Sequence, residues 1–169
     1  MSVAKADPAG IVLDGLEFAR EGRRLAGSVS IASLLRLVDV LAASGGVIEW
    51  ELRGERDRDG DAFLVLRLSG SISLRCQRCL ETVVEPLSVS SRLLLVEPGR
   101  PWPDDELLED GFDAIEAGKE MALLPMIEEE VLLALPVVPM HEFCETPVAR
   151  REDDEPSPFA VLAKLKKGV

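Results

Sequence analysis

The chain contains no tyrosine, one histidine and three cysteines, and aromatic residues make up only 4% of it. So few aromatics leave little to stack bases on, which argues against an RNA reader of the stacking type. A single histidine leaves little for Ser–His or Cys–His nucleophilic machinery. Basic residues are outnumbered, 19 against 31 acidic, for a net charge of −12. A protein of that sign is repelled by phosphate backbones, so a broad electrostatic grip on nucleic acid is disfavoured. Long apolar runs are missing too. The longest, residues 131–140, is interrupted by Pro136 and Pro139 and is about half of what a membrane span needs. The cluster Ile11-Val12-Leu13 is too short for an export signal and is flanked by Asp7 and Asp14. The expected setting is the cytoplasm, with no membrane contact, where cysteines stay reduced and paired cysteines suggest metal rather than disulfides.

What remains is ordinary globular material: 169 residues, 47% hydrophobic and 30% charged, enough for one core. The acidity is localised. Residues 1–96 carry 12 basic and 13 acidic side chains, residues 97–155 carry 4 and 18, and residues 156–169 carry three lysines and no acid. The acidic stretch reads either as a solvated loop with one exposed helix face or as a docking surface for a basic partner.

The patterning predicts an α+β fold. Residues 11–18 and 25–30 suit two short strands around the turn signal Glu21-Gly22. Ser30 precedes Ile31, Leu34, Leu35, Val38 and Leu41, whose spacing predicts a helix near 31–43. Alternating apolar residues over 47–54, 62–76 and 82–96 predict three long bent strands in an antiparallel meander, with Gly70 a bend or bulge and Pro86 a break or an edge. An acidic loop spans 97–119. A helix over 120–135 follows, with Leu124, Ile127, Val131 and Leu135 inward and Glu128, Glu129 and Glu130 as its wet side. Residues 1–149 form the expected single domain, 150–157 a linker, and 158–167 a short amphipathic C-terminal helix presenting Phe159, Leu162 and Leu165. That helix face suits docking to a partner or packing back onto the domain.

Every cysteine and the only histidine fall into two close pairs, Cys76-Gln77-Arg78-Cys79 and His141-Glu142-Phe143-Cys144. A tetrahedral zinc site takes four nitrogen or sulfur ligands, often delivered in such pairs. Two alternatives stay open. Cys76 has the buried parity of its strand and a free cysteine packs as a small hydrophobe, and a lone CxxC also serves in redox sites. If zinc binds, four protein ligands leave no open position, and the site is structural. Asp104-Asp105-Glu106 beside Pro101 and Pro103 could hold Mg²⁺ in a metal-dependent RNA-processing enzyme, though such runs are usually hydrated loops. No glycine loop for phosphate is present.

Three stretches in order resemble the YceD family of large ribosomal RNA subunit accumulation proteins. They are the segment Leu74-Arg75-Cys76-Gln77-Arg78-Cys79-Leu80, the acidic helix from Pro125 running through Leu135-Pro136-Val137-Val138-Pro139-Met140-His141, and Pro156-Ser157-Pro158-Phe159-Ala160-Val161-Leu162-Ala163-Lys164-Leu165. The resemblance implies a non-enzymatic factor for accumulation and assembly of the large ribosomal subunit and its rRNA. It matches Cys76 and Cys79 to the family's first cysteine pair, Cys144 to a later cysteine, and His141 to a position held by His or Cys. With the charge distribution it leads to an expected partner, a basic large-subunit ribosomal protein or a pre-ribosomal particle, met by Glu128, Glu129, Glu130, Phe159, Leu162 and Leu165. The rRNA is then reached indirectly, near Arg75, Arg78, Lys164, Lys166 and Lys167.

Overall fold

The computed structural model describes residues 6–103 and 111–147. The predicted linker at 150–157, the C-terminal helix at 158–167 and the Asp104-Asp105-Glu106 run lie outside the described residues.

Along the chain, strand β1 (Val12–Leu13) leads into helix α1 (Gly15–Arg20), then strand β2 (Arg24–Ser30). A short strand β3 (Leu41–Ala43) precedes the three long ones, β4 (Val47–Arg56), β5 (Ala62–Arg75) and β6 (Thr82–Val96). Strands β7 (Asp113–Glu116) and β8 (Met121–Ala122) lead into helix α2 (Leu123–Ala134). The main sheet runs β2-β4-β5-β6-β7, with β3 paired to the far end of β5 and β1 paired separately with β8. All pairings in the main sheet are antiparallel except β6 with β7. The α+β meander expected from the alternation is the architecture found.

Period-two patterning decides which face is buried. In β5 the even positions Leu64, Leu66, Leu68, Ile72 and Leu74 are at most 2% exposed, and Cys76 continues that parity at 0%. Ile48, Trp50 and Leu52 of β4 and Val83, Leu87 and Leu93 of β6 complete the same core. Both helices pack on this face, where α1 contributes Phe18 and Ala19, and α2 contributes Leu123, Ile127 and Val131. At roughly 25 cal/mol per Å² of apolar area, each fully buried leucine or isoleucine stabilises the fold by about 2 kcal/mol.

Several local expectations are corrected. The helix near 31–43 is instead two single 3-10 turns, Ile31–Ser33 and Leu35–Leu37, followed by β3. The reason lies in the period. Ile31, Leu34 and Leu37 are fully buried while Leu35 is 75% and Val38 57% exposed, and a spacing of three suits the tighter helix. Leu34 leaves helical geometry at φ −90° and ψ 84°, and the Ser30 side chain caps nothing. Of residues 11–18 only Val12–Leu13 are strand, and from Gly15 the chain is helix rather than strand. Asp14 accepts the Glu17 N–H at 3.0 Å, the first half of a capping-box pattern (Asp14, then Glu17) that the strand reading overlooked. The 97–119 stretch is not all loop, because 113–116 forms a strand that pairs in parallel with 93–96.

Gly70 makes no bulge, since β5 and β6 stay in continuous register from Phe63–Leu94 to Arg75–Thr82. It marks where β4 leaves β5, and a Cβ there would lie 3.1 Å from the Val47 carbonyl oxygen. Pro86 sits within unbroken β6, opposite Ser71, on a stretch whose other edge pairs with no described strand. No helix among the described residues is long and apolar enough to cross a membrane.

Candidate metal centre

The site is built at the far tip of the β5–β6 hairpin. Between Arg75 and Thr82 the chain reverses in a tight loop, in which Cys76 N–H donates to the Glu81 carbonyl at 2.9 Å and Leu80 N–H donates to the Cys76 carbonyl at 3.0 Å. Leu80 closes the loop at φ +67°, the one non-glycine residue in the left-handed region among the described residues. The second half comes from the segment after α2. Leu135 is extended at ψ 139°, as the following proline requires. The Pro139 carbonyl then accepts the Gln77 N–H at 2.9 Å, which pins this segment to the hairpin tip and delivers His141 and Cys144 beside Cys76 and Cys79.

The four donor atoms lie within 4.8 Å of one another. Cys76 Sγ is 3.7 Å from Cys144 Sγ, and Cys79 Sγ is 3.3 Å from His141 Nδ1. A tetrahedral zinc with Zn–S near 2.3 Å and Zn–N near 2.05 Å places ligand atoms about 3.8 Å apart for S···S and about 3.6 Å for S···N. A disulfide would bring two sulfurs to about 2.05 Å, so Cys76 and Cys144 are not bonded. His141 is oriented as a metal-binding imidazole should be. Its Nε2–H donates to the Thr82 carbonyl at 3.1 Å, which assigns the unprotonated nitrogen to Nδ1, facing Cys79. The residues present therefore fit a closed, four-coordinate ion.

Electrostatics point the same way. Burial raises the Cys76 thiol, but backbone N–H groups of Cys79, His141 and Arg78 more than offset it and hold the pKa down at about 5. For Cys79 the Glu81 backbone bond pulls the pKa down, and burial together with the Cys76 and Cys144 sulfurs outweighs it, so this thiol is raised. Three sulfurs this close resist ionising together, and a divalent cation removes that conflict. Arg78 reaches into the cluster. Its Nε donates to Cys144 Sγ at 2.9 Å and its Nη2 to the carbonyls of His141 at 2.6 Å and Glu142 at 3.3 Å. Its own pKa is raised, first by the bond to Cys144 and, against the effect of burial, by charge on Cys144, Cys76 and Cys79. Three thiolates around a divalent ion leave one negative charge, which the guanidinium is placed to balance. The sequence reading set Arg78 near RNA. The structure turns it inward, and the signal for this was a cation within the CxxC pair itself.

The helix glutamates are not one wet face. Glu128 is only 8% exposed, and its Oε1 accepts the Arg36 backbone N–H at 2.7 Å. Glu129 pairs with the Arg36 guanidinium, and Glu130 accepts from the Ser91 hydroxyl. Sequence reasoning missed Arg36 and Ser91 because they approach α2 from distant segments. Arg75 ends β5 exposed. Phe159, Leu162, Leu165, Lys164, Lys166 and Lys167 lie outside the described residues.

This geometry defines a small α+β protein whose hairpin tip and post-helix segment are joined through a Cys₃His cluster disposed to hold a metal. The chain belongs to the YceD family: the profile described as "Large ribosomal RNA subunit accumulation protein YceD" matches residues 64–166, more than half of the chain. A similar protein is the large ribosomal RNA subunit accumulation protein YceD of Haemophilus influenzae. It is 34% identical over 110 residues, a match covering 57% of this chain and 60% of that relative. No solved structure matches the chain.

Proposed function

We propose that this protein is a non-catalytic factor for accumulation of the large-subunit ribosomal RNA, acting in the cytoplasm by binding a ribosomal protein or pre-ribosomal particle, and that its Cys₃His cluster carries one structural zinc. The observation that carries this reading is the family match, whose span of residues 64–166 takes in all four metal donors. Four protein ligands close a tetrahedral shell and leave no position for a reacting water, so the ion ties segments together rather than performing chemistry.

The charge distribution supports a basic protein as direct ligand, because 18 acidic and 4 basic side chains fall within residues 97–155. At about 8 Å screening length only a dense patch keeps a useful field in the cell. Glu129 and Glu130 belong to that patch, while Glu128 serves the fold. Around the cluster, Phe143 is 86%, Leu80 59% and Met140 49% exposed, apolar surface of the kind that a macromolecular partner covers. Phe159, Leu162 and Leu165 offer a second apolar contact, with Lys164, Lys166 and Lys167 beside it.

The test is sedimentation of the tagged full-length protein through a gradient at two salt concentrations, alongside quantification of large- and small-subunit rRNA in a deletion strain. Co-migration with large-subunit precursors, weakening as salt rises, and a lowered ratio of large- to small-subunit rRNA are expected. An unchanged ratio and no co-migration would refute the reading.

A further inference from the structure

Among the described residues no helix covers the face of the sheet opposite α1 and α2, and beyond its Phe63 end, where Phe112 packs edge-on, that face is open. Its outward residues are fixed by register: across β4, β5 and β6 the rows are Glu51–Arg67–Ser90, Glu49–Ser69–Ser88 and Arg53–Val65–Arg92, and further along the ribbon Ser71–Pro86, Ser73–Val84 and Arg75–Thr82. Within this face the β5–β6 ribbon has a distinct composition. From Val65 to Arg75 and from Thr82 to Arg92 its outward positions include three arginines, five serines and a threonine, and not one carboxylate. In a chain with 31 acidic residues and net charge −12, such a stretch stands apart. The outward carboxylates of the sheet's long strands are on β4, and Glu51 there is held by Arg24 at 2.5 Å. Low strand propensity of acidic residues does not account for the difference, since β4 itself carries three of them outward.

Arg92 is engaged, stacked 3.6 Å from the Phe63 ring centroid and paired with Glu55. Arg67 and Arg75 are different. Both are exposed, and neither makes an ion pair with a described residue. Arg67 lies in a shallow concavity of about 550 Å³ that presents Ser69, Ser88 and Ser90 on the ribbon side and Glu49 and Glu51 on the β4 side. Eight residue steps along the strand separate the two arginines by about 26 Å, with hydroxyls between them.

We propose that the outward face of the β5–β6 ribbon docks the phosphodiester backbone of single-stranded RNA, with Arg67 and Arg75 as charged contacts and the serine rows as neutral donors. Arginine and hydroxyl groups are the usual partners of phosphate oxygens. The ribbon is about 10 Å wide in its two strands, which suits one nucleic-acid strand rather than a duplex. Between Val65 and Arg75 and between Thr82 and Arg92 it carries no outward aromatic ring, so it holds backbone without reading bases. The ribbon lies within the family match and the β4 carboxylates lie outside it. This inference rests on the ribosomal reading for its choice of RNA, and it revises the expectation that rRNA is reached only indirectly.

Binding of a labelled single-stranded RNA of about 20 nucleotides to the full-length protein, followed by anisotropy between about 50 and 200 mM salt, tests it. Each phosphate contact contributes about −0.7 to the logarithmic salt slope for single strands. The double variant Arg67→Gln/Arg75→Gln is expected to bind at least tenfold more weakly, with the slope flattened by about 1.4. Arg67→Lys/Arg75→Lys should retain most of the affinity, because lysine still offers a point charge. The isocharge control Arg20→Gln/Arg100→Gln should stay within about twofold of the original protein. The proposal fails if the unaltered protein shows no binding at about 100 µM in the lowest salt, or if the control loses as much as the ribbon variant. It also fails if polyglutamate competes as well as RNA at equal charge, which would identify an acidic protein as the ligand. Particle association that persists in a protein unable to bind RNA would overturn this inference and leave the assembly reading standing. RNA binding without particle association would do the reverse.

Discussion

Cys76 and Cys144 are 68 positions apart in the chain, and their sulfurs are 3.7 Å apart without being bonded. That separation joins the tip of the longest hairpin to the segment that follows α2, and the Arg78 guanidinium closes over the junction.

Purified without chelator, the protein should contain one zinc per chain by elemental analysis. Cys79→Ser and Cys144→Ser should each abolish stoichiometric zinc and lower the melting temperature. Removal of the metal from the unaltered protein should lower it in the same direction, because metal binding energy is folding energy. A fully stable protein without metal would refute the assignment.

Acid should act on the same centre. The folded Cys76 thiol is held at about 5, against an ordinary value of 9.0. Its folded pKa is depressed, so its thiolate stabilises the folded state most fully above about pH 9. That contribution shrinks as pH falls and is lost once pH drops through about 5. Chelator-treated protein should therefore unfold at progressively lower denaturant across that window, and Cys76→Ala should flatten the profile. With zinc bound, release of the ion measured with a colorimetric indicator should accompany acidification, because the ligands must be deprotonated.

Leu80 pays for the loop in backbone strain. Its left-handed conformation, φ +67°, costs an L-residue roughly 1–2 kcal/mol. Leu80→Gly should raise stability by about 1 kcal/mol. Leu80→Val should lower it by a similar amount, since β-branched residues tolerate this region worst. Urea melts of the two variants give the comparison, and equal midpoints would show that the strain is absent.

Neighbouring glutamates on α2 should behave differently. Glu128→Ala leaves the Arg36 backbone N–H without its acceptor in a nearly buried setting and should cost about 2 kcal/mol. Glu128→Gln keeps an acceptor oxygen and should cost less. Glu129→Ala removes an exposed ion pair and should leave the urea midpoint nearly unchanged. A larger loss at Glu129 than at Glu128 would contradict the packing described.

Some of this was legible in the residues alone. The alternation in 62–76 and 82–96 dictates strands with one buried face, since a one-residue slip would expose every leucine to water. The pairing of all soft ligands two by two marked the four residues that the structure brings within 4.8 Å of one another. The region 31–43 misled because Ile31, Leu34 and Leu37 fit both a period of three and a period of 3.6. What separated them was which leucines found a core to enter, and Leu35 and Val38 found none. The exchange of α1 for a strand has the same origin, in that a six-residue helix depends on its cap and its packing more than on periodicity.

By itself the sequence determined local periodicity, the chemistry of the four donors and where the negative charge is concentrated. The tertiary structure decided that Cys76 meets Cys144, that Arg78 turns inward, that Glu128 is buried while Glu129 is not, and that both described helices pack on one face of the sheet. The physical reason is range. Strand alternation and ligand type are properties of neighbouring residues, whereas contacts between residues 36 and 128, or 76 and 144, exist only once the sheet has set the distance between segments.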